Sequence, residues 1–167
     1  MADPDNVPML TITELEPGRV EELRDLWLQL HHHHQSVSPV GPFIDDEASW
    51  SLRLEGYREL LASGAFVLIA EVDGELAGYA LVRIHEGRDD SWELGDRHGE
   101  VWTLVVDERH RGEGIGTALL DEVDARLERI GVRGLMIGLM VGNEGARRLY
   151  ESRGLTAGWL QLYRTAG

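Results

Sequence analysis

The feature that most constrains this chain is an apolar strand that runs directly into closely spaced glycines. Residues 100–106 read EVWTLVV, a mostly apolar run typical of a central strand. Gly112, Gly114 and Gly116 follow, and from about Ile115 to Ile130 the apolar residues recur at helical spacing. A strand, a glycine turn and an amphipathic helix in this order predict an α/β fold in which a helix N-terminus meets the end of a buried strand.

The glycine turn is a candidate anion-binding site. The first amide N–H groups of a helix have no intrahelical partners, and the helix dipole adds positive potential there. Glycines let a ligand approach the backbone, so the segment from Arg111 to Thr117 suits a phosphate or pyrophosphate, with Arg111 as a charged donor. A tight turn without a ligand is the alternative. A P-loop is excluded because Gly-Lys-Ser/Thr is absent, and the glycine spacing does not fit a dinucleotide fingerprint.

Periodicity and turn signals predict a mixed sheet with helices on both faces. Strands are predicted at 10–15, 65–72, 76–84, 100–106, 135–141 and 159–163, and helices at 20–33, 50–61, 115–130 and 144–152. Asp73-Gly74 is a strong signal for a two-residue hairpin. The order β-α-α-β-β-β-α-β-α-β lacks the uniform alternation of a parallel sheet. Because no linker divides these elements, we expect one domain over residues 1–167.

The composition restricts the partners and the location of the protein. Acids outnumber bases by 30 to 16, which disfavours nucleic acid as a partner and favours a cationic small molecule or basic peptide. The same charge also maintains solubility. No apolar run approaches the roughly 20 residues that cross a bilayer, and residues 1–5 lack the basic start of a signal peptide. The absence of cysteine fits a reducing cytoplasm, so we expect a soluble cytoplasmic protein.

Two motifs resemble those of the GNAT N-acetyltransferases. Arg111-x-x-Gly114-x-Gly116 resembles the pyrophosphate-binding signature (Q/R)-x-x-G-x-(G/A) of that family. Residues 143–155, NEGARRLYESRGL, are similar to its N-x-x-A-x-x-L-Y-x-x-x-G-F segment and depart from it only in Leu155, where Phe is usual. One helix and one strand separate the two motifs, as in the family.

The resemblance covers residues 65–163 firmly and residues 10–64 only by element order. It implies acetyl-CoA as co-substrate, no required metal, and a cofactor-binding core over about residues 100–155. It also implies a fourth strand that splays from the fifth, with the pantetheine arm lying in the gap and pairing with the strand backbone. The residues that would contact the cofactor are Leu104, Val105, Val106, Arg111, Gly112, Glu113, Gly114, Ile115, Gly116, Thr117, Asn143, Ala146 and Tyr150.

The resemblance implies two catalytic residues, Tyr150 and Glu100. Tyr150 resembles the tyrosine whose hydroxyl lies near the thioester sulfur, and a phenol of ordinary pKa about 10 can donate to a thiolate of pKa about 8.5. Glu100 resembles the acid that many members use, often through water, as a general base. A packed tyrosine and a solvated strand end are the alternative interpretations. His98 or a water chain could also substitute for Glu100.

The identity of the acceptor amine is not encoded in either motif. In the family, the segment between the first two helices and the loop before the fourth strand shape the acceptor site. Here these are residues 36–47 and 86–99, both acid-rich, which favours a small cationic amine. Acetylation of a protein N-terminus or lysine is an alternative. A non-catalytic acyl-CoA-binding regulatory module is another, which the intact Asn143 and Tyr150 disfavour. The apolar strand predicted at 159–163 has an edge to protect, which predicts a homodimer.

The histidine and tryptophan residues have simpler expected roles. Consecutive residues of a helix point in different directions, so the run His31–His34 does not by itself provide a tetrahedral metal site. A helix end in solvent or beside the acceptor is favoured. The five tryptophans are predicted to be core residues: Trp27, Trp50, Trp92, Trp102 and Trp159. Trp50 and Trp92 are also candidates for lining an acceptor pocket.

Overall fold

In the computed structural model, which describes residues 8–166, five strands form one mixed sheet in chain order. The strands are β1 (Leu10–Glu14), β2 (Phe66–Val72), β3 (Glu75–Glu86), β4 (Arg97–Val106) and β5 (Gly134–Ile137). The helices are α1 (Arg24–Val37), α2 (Asp46–Ala62), α3 (Ile115–Arg129) and α4 (Glu144–Ser152), with 3-10 turns at Pro17–Leu23 and Glu108–His110. Neighbouring strands are antiparallel except β4 and β5, which are parallel. The predicted mixed α/β fold is confirmed.

The described range leaves out residues 1–7 and residue 167. The expectation that the chain begins without a signal peptide concerns residues 1–5, which lie outside it. Within residues 8–166, no helix is long and apolar enough to cross a membrane.

Local sequence signals account for the hairpin and for the start of α2. Asp73 and Gly74 both adopt left-handed backbone angles, with φ of 51° and 85°, which a two-residue hairpin of the twisted type requires. Asp45 caps α2 by accepting a hydrogen bond of 2.9 Å from the Ala48 amide. The predicted hairpin is therefore present, and α2 begins where acidic residues favour a helix N-terminus.

The sheet buries both of its faces. On the α3/α4 face, strand residues pack against α3: Phe66, Leu68, Ala80, Val82 and Val101 against Leu119, Leu120, Val123 and Leu127. On the α1/α2 face, alternate strand residues pack against the N-terminal helices: Val67, Ile69, Tyr79, Leu81 and Val105 against Leu26, Trp27, Trp50 and Tyr57. This alternation follows from the period of two along a strand.

A bulge interrupts β4 at Trp102. Leu81 pairs with Thr103 and Val82 with Val101, so Trp102 has no partner on β3. The bulge changes which residues share a face, because Glu100 then lies on the same α1/α2 face as Thr103. The Thr103 hydroxyl is 2.7 Å from the buried hydroxyl of Tyr57, which joins α2 to β4 beside the bulge.

The strands β4 and β5 separate at the bulge. Their pairing extends only from His98–Gly134 to Val101–Ile137, so within the described residues β4 has no partner on this side from Trp102 to Val106. The expected splay is confirmed. The prediction that the fifth strand reaches residue 141 is wrong, because β4 diverges here and residues 138–141 have no ladder to join.

The predicted final strand at 159–163 is also absent. In the range that the structure describes, this segment pairs with no other strand, and a strand without a ladder leaves its backbone groups unpaired. Its apolar side chains are exposed, Trp159 by 77% and Leu162 by 89%. The observed order is therefore β-α-α-β-β-β-α-β-α.

The first helix and the tryptophans differ in part from expectation. The chain enters the first helix through the 3-10 turn at Pro17–Leu23, and α1 continues to Val37, beyond the expected end near residue 33. Two tryptophans are buried as predicted, Trp27 and Trp50, so Trp50 is not available to an acceptor. The other three are at least 41% exposed: Trp92, Trp102 and Trp159.

Candidate active site

The glycine turn between β4 and α3 presents unpaired amides. Gly112 and Gly114 have φ of 81° and 84°, a left-handed conformation that favours glycine. Gly114 is the N-cap of α3, and the first helical hydrogen bond runs from the Ala118 amide to the Gly114 carbonyl at 2.9 Å. The amides of residues 115–117 precede that bond and so have no intrahelical acceptor. The turn therefore has the donors of an anion site.

Most charges at the turn are neutralised locally. Arg109 pairs with Asp107 at 3.0 Å, and this hydrogen bond lowers the pKa of the Asp107 carboxyl to about 2. His110 lies 2.9 Å from the Glu113 carboxylate. Arg111 instead donates to the Val106 carbonyl at 3.4 Å and, among the residues described, forms no ion pair. Its exposed guanidinium thus keeps its charge available beside the unpaired amides.

The second motif lies directly beside the turn. A Cβ atom on Gly116 would be 3.4 Å from Leu149 Cδ2, and Arg153 pairs with Asp121 of α3 at 2.8 Å. These two contacts place the C-terminal part of α4 beside the first half of α3. Ala146, one turn before Leu149, is half-buried against the α3/α4 core.

Asn143 forms the N-cap of α4. Its Oδ1 accepts a hydrogen bond of 3.1 Å from the Ala146 amide, which fixes the side chain at the helix end. The backbone amide of Asn143 donates to the Met140 carbonyl at 2.8 Å, whereas its side-chain nitrogen Nδ2 makes no hydrogen bond within residues 8–166 and remains free to donate. The cap and a ligand contact are therefore compatible roles for this residue.

Tyr150 lies on the α3/α4 face with only 8% of its surface exposed. Burial raises the pKa of its phenol to about 12, so the hydroxyl is protonated throughout the neutral range. The part of the chain that the structure describes supplies no hydrogen-bond partner for this hydroxyl. Tyr150 is thus a buried neutral donor.

The other predicted cofactor-binding residues differ in whether their side chain or only their backbone is accessible to a ligand. Leu104 and Val106 are half-buried against the α3/α4 core, whereas Val105 is buried on the α1/α2 face. Their shared feature is the backbone edge that faces the gap between β4 and β5. The Ile115 side chain is buried in the core, so only its amide faces the turn. Thr117 has an exposed side chain.

Glu100 lies on the opposite face of the sheet from Tyr150. Its Oε2 accepts hydrogen bonds from Arg83 Nε at 2.5 Å and from His85 Nε2 at 2.6 Å. The ring of His98 stacks on that of His85 with centroids 4.7 Å apart. Burial, reinforced by the neighbouring His85, lowers the pKa of His98 and favours its neutral form. Glu100 and Tyr150 therefore lie on opposite faces of the sheet, and Glu100 precedes by one residue the last β4–β5 pair at Val101.

Sequence reasoning missed the partners of Glu100 and a link from α1 to the turn. Residues 87–96 form a long connection between β3 and β4, and such a loop does not fix the register of the two strands. The sequence alone therefore does not predict that Arg83 and His85 lie beside Glu100. Gln29 of α1 accepts a hydrogen bond of 2.9 Å from the Glu108 amide at the start of the turn. Such a long-range contact between loop and helix has no local sequence signal.

The histidine run joins α1 to α2. His31 Nε2 is 3.1 Å from the Ile44 carbonyl, and His32 Nε2 is 2.9 Å from the Asp46 carboxylate. Burial lowers the pKa of His34 to about 4. The run therefore has identifiable contacts at the junction of two helices.

Comparison with known proteins agrees with this architecture. Residues 21–155 match the Acetyltransferase (GNAT) family, and the chain belongs to that family.

Individual relatives match over different lengths. A mycothiol acetyltransferase of Thermobispora bispora is 33% identical over 146 residues, which are 84% of this chain and 44% of that protein. An N-alpha-acetyltransferase of Sulfurisphaera tokodaii is 36% identical over 93 residues, 54% of this chain and 56% of that protein. The chain thus spans about half the length of these curated relatives.

A solved structure shares the fold. The crystal structure of a predicted acetyltransferase with acetyl-CoA from Clostridium acetobutylicum matches with a TM-score of 0.70 and 16% identity, covering 93% of this chain and 96% of that one.

Proposed function

We propose that this protein is an acetyl-CoA-dependent N-acetyltransferase that acetylates a primary amine by direct attack in a ternary complex. The observation that carries the proposal is that Glu100 and Tyr150 lie on opposite faces of the sheet, Glu100 one residue before the point where β4 and β5 separate. An amine arriving from the α1/α2 face would meet a carboxylate, and a sulfur leaving toward the α3/α4 face would meet a phenol. Membership of the GNAT family supports the same reaction.

The turn and the open strand edge fit the two parts of acetyl-CoA. The amides of residues 115–117, the left-handed Gly112 and Gly114, and the unpaired Arg111 would hold the pyrophosphate. The edge of residues 104–106, which has no strand partner within the described residues, would pair with the pantetheine amides. Asn143 would donate to the same arm, and the small side chain of Ala146 would leave it space. Bound in this way, acetyl-CoA supplies an activated acyl thioester.

The residues of the site meet the three needs of acyl transfer. Glu100 takes a proton from the ammonium group of the acceptor, directly or through one water, and leaves a neutral nucleophile. Unpaired amides on β4 polarise the thioester carbonyl. Tyr150 stabilises the departing sulfur.

The burial of Tyr150 defines how it acts. A phenol with a pKa of about 12 is a weaker acid than a thiol near 8.5, so complete proton transfer to the thiolate would be unfavourable by about 5 kcal/mol. We therefore assign Tyr150 the role of a hydrogen-bond donor to the developing thiolate. Full protonation of the sulfur would follow later from solvent.

The acceptor that the site favours is a small cationic amine. The acid-rich segments 36–47 and 86–99 border the α1/α2 face, and an open cleft beside the start of α2 is lined by Asp45, Asp46 and Glu47. The mycothiol acetyltransferase relative is named for a small molecule. The N-alpha-acetyltransferase relative instead supports the alternative of a protein N-terminus or lysine. A regulatory module that only binds acyl-CoA is the alternative from another class.

The proposal includes the organisation and location of the protein. We propose that residues 1–167 form one domain whose cofactor-binding core spans about residues 100–155. The exposed apolar segment 159–163 would pair with a second copy to form a homodimer. The reaction would take place in the cytoplasm, without a metal or a nucleic-acid partner.

The test is thiol release from acetyl-CoA in the presence of a panel of amines. The panel contains a polyamine, an amino sugar, an amino-acid derivative, and peptides with a free N-terminus or lysine. We expect thiol release above background hydrolysis with one acceptor class, matched by acetylated product in the mass spectrum. CoA binding without transfer to any acceptor would favour the regulatory module.

A further inference from the structure

Glu100 is held by one of its two carboxylate oxygens. Arg83 and His85, two residues apart on β3, both donate to Oε2, at 2.5 Å and 2.6 Å. Within residues 8–166, Oε1 has no hydrogen-bond partner. The carboxylate is therefore oriented by Oε2, while Oε1 remains available to an acceptor or a water on the α1/α2 face.

Arg83 is itself fixed by the bulge. Its guanidinium lies 4.4 Å from the ring centroid of Trp102, the unpaired residue of β4 at the point where β4 and β5 separate. The same guanidinium therefore contacts both the ring at the mouth of the gap and the Glu100 carboxylate. Trp102 is 41% exposed, so the contact between Trp102 and Arg83 is accessible to solvent.

His85 is the ring beside Glu100 that can exchange a proton with solvent. Its side chain is 31% exposed, whereas His98, stacked on it in a nearly parallel orientation of 9°, is only 6% exposed. Burial and the neighbouring His85 favour the neutral form of His98, partly opposed by the charges of Asp89 and Glu100. The charged and titratable groups around His85 are thus Arg83, Glu100 and the stacked His98, and Asp89 acts on His98.

We propose that Arg83 and His85 are positioning residues for the base, and that Glu100 and His85 work as one unit whose protonation limits the reaction in acid. The proposal rests on the acetyl transfer proposed above. In the active form, Glu100 is ionised and His85 is neutral, with its N–H on Nε2. An N–H bond of the acceptor ammonium then breaks and an O–H bond forms at Oε1 of Glu100.

Protonation of His85 weakens this base. A charged imidazolium would place a second cation on the oxygen that already binds Arg83, and a carboxylate held by two cations accepts a proton less readily. The pair therefore gives the reaction a pH dependence that an isolated carboxylate would not have.

The test is the pH profile of kcat/KM with one acceptor for the wild type, His85→Gln and His85→Leu. Glutamine keeps an N–H donor for Glu100 but does not titrate. We expect His85→Gln to retain activity at high pH within about threefold and to move the acid limb by at least about one pH unit, since the charge of His85 is gone. His85→Leu removes the donor and should lower kcat about tenfold or more, with an unchanged Kd for CoA. His32→Gln is the control, because His32 also contacts a carboxylate, at the α1–α2 junction.

An acid limb of His85→Gln that overlies the wild-type limb overturns the proposal. If His85→Gln does not fold, His85→Asn replaces it, and NMR titration of the wild-type ring must show a histidine whose midpoint moves in Glu100→Gln. The absence of that movement also overturns it. Wild-type protein that transfers acetyl to no amine refutes the proposed function itself, whereas an active wild type with an unmoved acid limb refutes only the role of His85.

Discussion

The backbone of Gly142 lies directly against the carbonyl group of Val37, so that a Cβ atom at position 142 would collide with the Val37 oxygen. The contact joins the C-terminal end of α1 to the residue before Asn143, the cap of α4. The end of the helix that borders the acceptor side therefore packs closely against the segment that leads into the helix carrying Tyr150. Only glycine fits this approach without movement of one of the helices.

The first prediction is that Gly142→Ala destabilises the protein. Gly142 does not adopt a left-handed φ, so the cost is the collision with Val37 alone, about 1–3 kcal/mol of the free energy of unfolding. Urea denaturation followed by fluorescence measures it. Gly145→Ala is the matched control, since a Cβ there meets only Asn143 Oδ1 at 3.8 Å and helix propensity favours alanine. Equal stability of the two variants would contradict the close approach.

The second prediction is that Tyr150→Phe lowers turnover more than cofactor binding. The hydroxyl acts only as the thiolate departs, so kcat should fall by about 10- to 100-fold, while the Kd for CoA changes by less than about twofold. Tyr163→Phe is the control, because its exposed hydroxyl donates only to Gln161. A wild-type rate for Tyr150→Phe, together with a solvent isotope effect in the wild type, would exclude Tyr150 as the donor.

The two motifs and the elements between them were predictable because their signals are local. The turn requires glycines at left-handed positions, and α3 and α4 carry their own periodicity and caps, so the range 144–152 was predicted without error. The bulge at Trp102 was not predictable, since it is a property of the register between β3 and β4. The same bulge ends β5 at Ile137 and decides which face Glu100 occupies.

The partners of Glu100 and the C-terminal segment were missed for a related reason. Arg83 and His85 meet Glu100 only through pairing across a long loop, which no local pattern encodes. Residues 159–163 have the alternation of a strand, but strand formation also needs a partner edge, and the described part of this chain provides none. The local sequence pattern therefore predicted a strand correctly only where a neighbouring strand is available for backbone hydrogen bonds.

The third prediction concerns stability in acid. The pKa of His34 is lowered to about 4 by burial, and in the unfolded chain it returns to about 6.5. Between these values the unfolded state binds more protons, so stability is full above pH 6.5 and decreases as the pH falls to about 4, by about 1–2 kcal/mol because solvent screens this partly exposed ring.

Denaturation at a series of pH values measures this effect. His34→Gln should reduce the loss of stability between pH 6.5 and 4. The folded pKa of Asp107 is about 2, so its own contribution is lost only below about pH 3.8. An unchanged slope in His34→Gln would show that His34 is not buried as described.

The fourth prediction is that the protein is a dimer at micromolar concentration. The segment 159–163 exposes Leu160, Leu162 and two aromatic residues, and β5 presents a free edge. Light scattering should give twice the mass of one chain. The double change Leu160→Ser and Leu162→Ser should give a monomer, and Leu52→Ser, at a position of α2 nearly as exposed as Leu160, should not. A monomeric wild type would refute the dimer.

The most direct test of the central claim is calorimetric titration of CoA into Gly114→Asp and Gly114→Asn. Both side chains tolerate the left-handed conformation of Gly114 and have nearly the same size, so the two variants differ mainly in one negative charge. If the pyrophosphate lies on the amides of residues 115–117, the Asp variant should bind CoA at least about tenfold more weakly than the Asn variant. Equal dissociation constants for two folded variants would contradict cofactor binding at this turn.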